Sequence, residues 1–385
     1  MPTDADLIIL GGGCAGLGLA FNLSHYGTRA PRTLIFEQRE AYRNDRTWCF
    51  WGDDAAPFSQ LAGRQWRHLR IAGDGRRVDF DCGNTPYRML AADAYYAHTL
   101  QAINANPQLS LHLGHSVRSE PEYVGGVWRI ETNQGSISAG SLVDTRPVQT
   151  SVTEKPLLWQ SFCGHEIETA EAVFDPSIAD LMDFSEVCES SIIFIYVLPV
   201  SETRALVEYT VFAASPLHAR DLQQGLHAAI EKRTRGSAYT TLRSEYGCIP
   251  MGGDAVQSAL TDSPRSQVRV GLSAGAARPA TGYAFQRLQR WGAQCAQAMV
   301  MTGAPVPQSP DRLMTRTMDR LFLQVLRAQP ALAPALFTAM FAEVDSRRLI
   351  RFLSDAGSLR DHAAVIAALP AGPFLRHLFA GRAPA

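Results

Sequence analysis

The sequence Leu7-Ile8-Ile9-Leu10-Gly11-Gly12-Gly13-Cys14-Ala15-Gly16 decides the fold of this chain. The four apolar residues form a short run typical of a buried parallel strand, and the glycines after it have the spacing G-x-G-x-x-G. In that motif Gly11 allows a tight turn, Gly13 lets backbone N–H groups reach a pyrophosphate, and Gly16 allows close packing of a helix on the strand. The stretch therefore predicts the first strand and helix of a dinucleotide-binding unit.

The residues that follow complete this unit. A helix over residues 15–26 and a second strand over residues 33–36 are expected. Cys14 and Ala15 open the helix, so its first N–H groups would face the phosphates of the ligand. Glu37 ends the second strand, 21 residues after the last glycine of the motif, and is the expected partner of the ribose.

Length and composition limit the rest of the chain. The 385 residues suggest two or three domains, and 46% hydrophobic with 19% charged residues is the composition of a globular protein. The net charge of −1 gives no field that would bind nucleic acid. FAD is favoured over NAD by analogy, because the motif begins at residue 11 and leaves most of the chain for a second, interleaved domain.

Cysteine spacing and hydropathy bear on metal binding and on location. The seven cysteines are widely spaced and form no C-x-x-C pair, which is typical of reduced thiols and predicts no metal site. Asp4 and Asp6 stand where a signal peptide would be basic, and no apolar run approaches the ~20 residues that span a bilayer. A cytoplasmic protein is expected.

The pattern divides the chain into three parts. Residues 1–150 and 246–305 are expected to form a discontinuous α/β domain of the Rossmann type that binds FAD. Residues 151–245, with part of 60–130, are rich in short strands and are expected to form an interleaved β-sheet domain that binds the substrate. Residues 306–385 are expected to be a helical C-terminal region.

A second glycine-rich turn follows a strand predicted at residues 268–272. It contains Gly275, Thr281, Gly282 and Tyr283 and opens onto a helix expected to run to residue 301. Backbone amides at such a turn can approach a phosphate or a flavin ring. A plain connection between strand and helix has the same pattern, so both interpretations stay open.

The C-terminal region is basic. From residue 311 onward, ten arginines stand against six acidic residues, interleaved with Leu, Phe and Met at helical spacing. Such helices can lie on a membrane surface, although a solvated helical cap over the core gives the same pattern.

Further short motifs resemble the bacterial lycopene β-cyclases, which are FAD-dependent and related to the plant lycopene cyclases. The resemblance covers nearly the whole chain, and its motifs fall in the order of the family. Beyond the N-terminal glycines it rests on Thr47-Trp48-Cys49-Phe50, Trp159-Gln160-Ser161-Phe162 with Gly164, Phe174-Asp175-Pro176, Leu181-Met182-Asp183-Phe184, Tyr196-Val197-Leu198-Pro199, Val207-Glu208, Ile249-Pro250-Met251-Gly252-Gly253, and Arg278-Pro279 followed by Gly282-Tyr283.

The resemblance implies an activity and its partners. The family closes the ψ-ends of lycopene and related carotenoids into β-ionone rings, giving γ-carotene and then β-carotene without net oxidation or reduction. It implies that FAD acts in its reduced form, with NAD(P)H as the electron source. Because a forty-carbon hydrocarbon has to be drawn from lipid, a peripheral position on the inner membrane is expected, with the basic C-terminal region as the docking surface.

Glu208 is the expected general acid. An acid that protonates an alkene must keep its proton near neutral pH, so its carboxyl group belongs in an apolar pocket. Glu208 lies in a predicted strand among apolar and aromatic neighbours and matches the glutamate of the cyclases' acidic motif. An ion pair with Arg204 is the alternative. Many relatives have a second acid where this chain has Tyr209, and we predict that Tyr209 is catalytic as well.

Aromatic side chains and one arginine complete the prediction. Four aromatic side chains could stabilise a carbocation with their ring faces: Trp48, Phe50, Trp51 and Phe162. Of these, Trp48 is predicted to be catalytic. Ordinary core packing is the alternative for each of the four. Arg278 stands where relatives usually carry histidine, and it could pair with the anionic flavin or with a phosphate.

Two other classes of function stay open. A flavin-dependent oxidoreductase, such as an aromatic hydroxylase or an isoprenoid reductase, usually carries G-D-A at its second flavin motif, whereas this chain has Gly271-Leu272-Ser273-Ala274-Gly275. A non-catalytic carotenoid- or flavin-binding protein would not need a carboxylic acid in an apolar strand.

Overall fold

The computed structural model describes residues 3–147, 155–185, 188, 190–252 and 266–380, with the side chains of residues 378–380 left out. Gly253, Arg382 and the domain boundary expected at residue 150 lie outside the described residues. The strands are β1 (Ala5–Leu10), β2 (Thr33–Phe36), β3 (Thr47–Trp51), β4 (Arg64–Trp66), β5 (His68–Gly73), β6 (Arg76–Asp81), β7 (Tyr87–Ala91), β8 (Leu109–His112), β9 (Glu122–Val124), β10 (Val127–Thr132), β11 (Gly135–Asp144), β12 (Leu158–Thr169), β13 (Ile178–Asp183), β14 (Ile192–Pro199), β15 (Arg204–Ala213), β16 (Tyr239–Met251) and β17 (Gln267–Arg269). The α-helices are α1 (Cys14–Ser24), α2 (Ala92–Asn104), α3 (Ala219–Thr234), α4 (Phe285–Thr302), α5 (Leu313–Ala328), α6 (Ala333–Glu343), α7 (Ser346–Leu353), α8 (Leu359–Ala368) and α9 (Ala371–Ala380).

The first sheet carries the N-terminal glycine motif. Its strand order is β8-β2-β1-β11-β10-β9, and β17 pairs with the end of β11. β1 runs parallel to both β2 and β11, with Val143 opposite Ile9. Residues 7–10 are fully buried, because helices or other parts of the chain cover both faces of this apolar strand.

Helices α1 and α4 pack closely beside this sheet. A Cβ on Gly292 of α4 would lie 3.1 Å from the backbone of Gly18 in α1, so two glycines allow the helices to approach. Gln289 Nε2 lies 3.3 Å from the Sγ of Cys14. The starts of α1 and α4, and the glycine-rich turns before them, are therefore close in space.

The local elements around both glycine motifs are largely those predicted. The helix expected over residues 15–26 is α1, which ends at Ser24, and the helix expected to reach residue 301 is α4. The strand expected over residues 33–36 is β2. The strand expected over residues 268–272 was too long, since β17 ends at Arg269 and Leu272 begins a short 3-10 turn.

The second sheet is longer and mostly antiparallel. Its strand order is β16-β12-β15-β14-β13-β5-β6, with only the β13–β5 pair parallel among these strands as the structure describes them. Alternate residues of β15 face opposite sides. Val207 and Val211 pack under α3, whereas Leu206 and Phe212 pack in the core that includes α5, α6 and α7.

A small sheet lies between the two larger ones, with the order β3-β7-β4. Its alternation divides it between two cores: Phe50 and Leu90 pack in the core of the first sheet, and Trp51 and Met89 pack in the core of the second. The architecture is thus the expected mixed α/β fold, with a partly parallel first sheet, a second sheet and a helical C-terminal region.

The C-terminal helices α5 to α9 form a helical layer that contributes to the core of the second sheet. Within the described residues, no single helix is long and apolar enough to cross a membrane. The segments Leu313–Ala328 and Pro330–Glu343 reach that length and apolarity only in combination, and they are bent by 113° relative to each other.

Candidate active site

Four residues form a row across neighbouring strands of the second sheet. Tyr196 on β14 pairs with Glu208 on β15, Glu208 pairs with Gly164 on β12, and Gly164 pairs with Glu245 on β16. Directly paired residues point to the same face of a sheet. The Tyr196, Glu208 and Glu245 side chains therefore share one face, and Glu245 reaches the small sheet at Thr47.

Gly164 leaves room for the two glutamates. A Cβ at this position would lie 3.3 Å from Cγ of Glu245 and 3.5 Å from Cγ of Glu208. The carboxyl groups of Glu208 and Glu245 are close enough to interact directly. Since two negative charges this close repel, the pair favours a state in which one carboxyl keeps a proton.

Glu208 is the member of the pair that favours the proton. Burial, and next the negative charge of Glu245, raise the pKa of Glu208 to about 8, although a hydrogen bond from Thr210 and the charge of Arg243 act in the opposite direction. Thr210 Oγ1 donates to Glu208 Oε1 at 2.9 Å. A carboxylic acid at this position is therefore largely protonated at neutral pH.

Glu245 is held by charged and polar partners. Arg243 Nη1 donates to Glu245 Oε2 at 2.5 Å, and Thr47 Oγ1 donates to the same oxygen at 2.9 Å. Arg243 also pairs with Glu166 at 2.6 Å, and Glu166 in turn pairs with Arg204. The alternative partner considered for Glu208 is thus occupied by a different glutamate.

Aromatic hydroxyl groups line the same side of the site. The Tyr87 and Tyr196 hydroxyl oxygens are 2.6 Å apart, and Tyr283 is close enough to Tyr196 to affect its pKa. The Trp51 ring lies 4.8 Å from that of Tyr87 and 5.5 Å from that of Tyr283, measured between centroids. Burial raises the pKa of Tyr283 to about 12 and raises those of Tyr87 and Tyr196 well above the usual value, so all three stay neutral.

Several residues of the site keep some accessible surface. Cys49, Tyr196, Glu208 and Tyr283 each retain some accessible surface although they lie deep among other residues. Such partly accessible groups inside a protein can contact a bound molecule while bulk water is largely excluded.

Two residues predicted to be catalytic, Tyr209 and Trp48, do not share this face. Tyr209 follows Glu208 in β15, so it points to the opposite face and packs under α3, where a Cβ on Gly225 would collide with its ring. Trp48 lies on the side of β3 away from Thr47 and packs on Tyr95, with ring centroids 5.0 Å apart. Alternation along a strand therefore separates both side chains from the Glu208 carboxyl group, and a catalytic role for Tyr209 and Trp48 stays a prediction.

Arg278 is buried against the C-terminal helices. It is 1% exposed and forms a bidentate pair with Asp319 of α5, at 3.0 and 3.1 Å. Its guanidinium carbon also lies 4.3 Å from the centroid of the Phe352 ring. The charge of Arg278, considered above for a flavin or a phosphate, is thus neutralised by a buried acid from the C-terminal helices.

The N-terminal motif has the geometry of a phosphate-binding turn. Gly11 has a φ of +96°, and a Cβ on Gly16 would collide with the Gly11 carbonyl oxygen. Gly13 caps α1 without a side-chain hydrogen bond, and no protein atom lies within 4 Å of the Cβ it lacks. Ala15 is buried in the helix that follows, next to Cys14. Open space at a helix N-terminus suits the pyrophosphate of a dinucleotide.

Glu37 lies beside this turn as a carboxylate. Its Oε2 accepts the N–H of Gly12 at 2.8 Å and its Oε1 accepts the N–H of Arg39 at 2.9 Å. Burial would raise the pKa of Glu37, but hydrogen bonds from Arg39 and Gly12 outweigh burial and hold the pKa below its usual range. A charged acceptor at the end of β2 suits a ribose hydroxyl.

The second glycine-rich turn lies near the catalytic face. Gly275 and Gly282 both adopt positive φ, and a Cβ on Gly282 would lie 2.8 Å from Oε1 of Gln160. That Gln160 oxygen is buried and has no hydrogen-bond partner in the protein. An orphaned acceptor beside this turn, together with Thr281 and Tyr283, fits a ligand that carries an N–H or O–H donor, as a flavin ring does.

Sequence reasoning missed Glu245, Arg243, Tyr87 and Tyr196 as site residues. Tyr196 stands within a quoted motif, and the alternation of Arg243 and Glu245 in one strand gave a weak signal. Neither pattern indicates which strands are neighbours, so the sequence did not predict that Tyr196, Glu208 and Glu245 share one face. Across the residues that the structure describes, no group of three or more His, Cys, Asp or Glu side chains could hold a metal ion.

Comparison with protein families and curated proteins gives consistent matches. The family described as "Lycopene cyclase protein" matches residues 6–379. The lycopene beta-cyclase of Pseudescherichia vulneris is 25% identical over 292 residues, 73% of this chain and 70% of that protein. The lycopene beta-cyclase of a Paracoccus species is 33% identical over 184 residues, 46% of this chain and 44% of that protein.

Solved structures share the fold over almost the whole chain. A geranylgeranyl bacteriochlorophyll reductase-like protein from Thermoplasma acidophilum aligns with a TM-score of 0.63 at 14% identity, covering 97% of this chain and 98% of that one. The p-nitrophenol 4-monooxygenase from Pseudomonas putida aligns with a TM-score of 0.55 at 15% identity, covering 99% and 98%. At such identities the likeness concerns the fold alone.

Proposed function

Because the chain belongs to the lycopene cyclase family, we propose that it closes each ψ-end of lycopene into a β-ionone ring, forming γ-carotene and then β-carotene. Its named relatives are lycopene beta-cyclases, so it is an enzyme of the isomerase class that catalyses cyclisation. The observation that carries the proposed substrate and mechanism is the Glu208 carboxyl group, which favours its protonated form at a face lined by aromatic side chains.

The proposed reaction starts with proton transfer from Glu208. Its carboxyl adds a proton to C2 of the terminal C1=C2 bond, and the electron pair of the C5=C6 bond then forms the C1–C6 bond. Loss of the proton from C6 restores a C5=C6 double bond. One proton enters and one leaves, so substrate and product are isomers and no electrons are consumed.

The aromatic residues around Glu208 suit the cationic intermediates. Trp51, Tyr87, Tyr196 and Tyr283 provide ring faces near the acid. A desolvated cation gains ~0.5–2 kcal/mol from each well-placed aromatic ring. Neutral tyrosines are weak nucleophiles, so they can stabilise positive charge without capturing the cation.

We also propose that the chain binds FAD. The pyrophosphate and ribose would lie at the first turn and the flavin at the second, against Gly11, Gly13, Cys14, Ala15, Gly16 and Glu37, and against Gly275, Thr281, Gly282 and Tyr283. When bound and reduced, FAD would supply negative charge beside the carotene, with NAD(P)H as the source of its electrons. The protein's own part is to hold the cofactor and to place Glu208 on the substrate side.

The substrate favours a peripheral position on the inner membrane, facing the cytoplasm. Leu313 at the start of α5 is 78% exposed and Leu359 at the start of α8 is 74% exposed. Thr315 and His362 of the same two helices are 3.3 Å apart, so both leucines belong to one corner. Exposed arginines at positions 312 and 360 flank them. An apolar corner with basic flanks suits an anionic lipid surface.

Pigment analysis of lycopene-accumulating cells tests the proposed activity. Cells that express the chain should form β-carotene, cells with Glu208→Gln should retain lycopene, and the exposed control Glu168→Gln on the same sheet should behave as wild type. Equal β-carotene from Glu208→Gln would contradict the assigned acid. Oxidation of one nicotinamide per ring would favour a flavin oxidoreductase instead, and bound pigment without cyclic product would favour a binding protein.

A further inference from the structure

Glu245 and Glu208 are held on opposite sides of a single glycine. β12 pairs with β15 on one side and with β16 on the other, and Gly164 is the residue at which both pairings meet the glutamates. Glu208 has one hydroxyl donor, Thr210, whereas Glu245 has both an arginine and a hydroxyl donor. The two carboxyl groups are therefore unequal in the charge that their surroundings favour.

We propose that Glu245 is a positioning residue for the cyclisation: as a carboxylate fixed by Arg243 and Thr47, it keeps the reactive proton on Glu208 and accepts a hydrogen bond from it. The inference rests on the proposed function of Glu208 as the acid. It assigns the second acid of the site to Glu245 on β16. Tyr209, the neighbour of Glu208 where many relatives have an acid, would not take that role. Glu245 would act through Glu208 and need not touch the carotene.

The charges around the pair support this assignment. Arg204 and Arg243 together balance the charges of Glu166 and Glu245. Of these two acids, Glu245 is the one whose negative charge acts on Glu208. Groups from the other packed elements are neutral, because burial raises the pKa of each: Cys49 on β3, Tyr87 on β7, Tyr196 on β14 and Tyr283 before α4.

Infrared titration of the full chain tests the inference without requiring activity. A protonated, buried carboxyl group gives a C=O band that is absent from a carboxylate, and Glu208→Gln identifies the band of residue 208. In wild type this band should disappear with a midpoint near pH 8. In Glu245→Gln the midpoint should fall by about 1 to 3 pH units, because a like charge has been removed.

Glu166→Gln is the matched control. Glu166 shares Arg243 with Glu245. It lies two residues after Gly164 in β12, and two residues of a strand span about 6–7 Å. The midpoint of the Glu208 band should shift by less in Glu166→Gln than in Glu245→Gln. The alkaline limb of the pH–activity profile should move in the same order as the infrared midpoints.

The outcomes distinguish the positioning role of Glu245 from the role of Glu208 as the acid. An equal midpoint in wild type and Glu245→Gln, or an equal or larger shift in Glu166→Gln, would overturn the role of Glu245. A band that survives Glu208→Gln and is lost in Glu245→Gln would also overturn it, since the proton would then reside on the other residue. The absence of any band dependent on Glu208 at pH 7 would instead contradict the proposed acid itself.

Discussion

Arg278 and Asp319 form a bidentate ion pair in the interior of the protein, with nitrogen–oxygen distances of 3.0 and 3.1 Å. Arg278 belongs to the turn before α4, and Asp319 belongs to α5. The pair therefore ties the second glycine-rich turn to the C-terminal helical layer. Because both side chains are almost fully buried, each depends on the other for compensation of its charge.

Loss of one partner should destabilise the protein strongly. We expect Arg278→Met to lower the free energy of unfolding by about 3–5 kcal/mol, because Asp319 would remain buried without its countercharge. Urea denaturation followed by circular dichroism measures this change. The double variant Arg278→Met/Asp319→Leu should recover much of the loss, and a double variant as unstable as the sum of both single changes would contradict the interpretation.

Gly164→Ala should impair activity more than stability. The added Cβ would lie 3.3 Å from Glu245 Cγ, tighter than ordinary packing, and would force the two carboxyl groups apart. A displacement of a reacting group by ~1 Å can cost about 100-fold in rate. Single-turnover formation of γ-carotene measures the effect. Gly140→Ala in β11, whose nearest contact would be at 3.4 Å, is the matched control and should keep its activity.

Gly13→Ala separates cofactor binding from folding. Since no protein atom lies within 4 Å of the added Cβ, the stability of the flavin-free protein should stay within about 0.5 kcal/mol of wild type. The methyl group would, however, fill the space at the start of α1, so purified protein should contain little flavin. Absorbance near the flavin maximum measures this content. Gly16→Ala should lower stability as well, because its Cβ meets the carbonyl oxygen of Gly11.

Cyclisation should decline as pH rises through about 8, the value to which burial and Glu245 raise the pKa of Glu208. Stability should change in the same direction. The folded state binds the Glu208 proton more tightly than the unfolded chain does. The contribution of this proton to the free energy of unfolding is therefore complete below about pH 4.5 and is lost as pH rises to about 8. Unfolding free energies of wild type and Glu208→Gln should therefore converge or cross in favour of the variant over this window. A constant difference would argue against a protonated Glu208.

The corner formed by Leu313 and Leu359 should bind lipid. Replacing both leucines by aspartate should weaken co-sedimentation with vesicles of anionic phospholipid by at least about tenfold, because each buried leucine contributes ~1.5–3 kcal/mol. Met301→Asp is the control, since Met301 is 76% exposed but precedes the C-terminal helices. Equal loss in both proteins, or no loss in either, would exclude this corner as the docking surface.

The sequence was sufficient where structure depends on neighbours along the chain. The run of residues 7–16 predicted β1, the turn at Gly11 and α1, because a G-x-G-x-x-G spacing has few conformations that satisfy its backbone. The apolar alternation around Glu208 likewise predicted its strand, and the family motifs predicted the family.

Only the tertiary structure decided how distant segments combine. Thr47 and Glu245 are 198 positions apart and Arg278 and Asp319 are 41 apart, and no local pattern specifies either contact. Strand register also decided which residues share a face: it brought Glu245 beside Glu208 and placed Tyr209 and Trp48 elsewhere. The physical reason is that side chains alternate along a strand, so the choice of partner strand and register determines every neighbour of the acid.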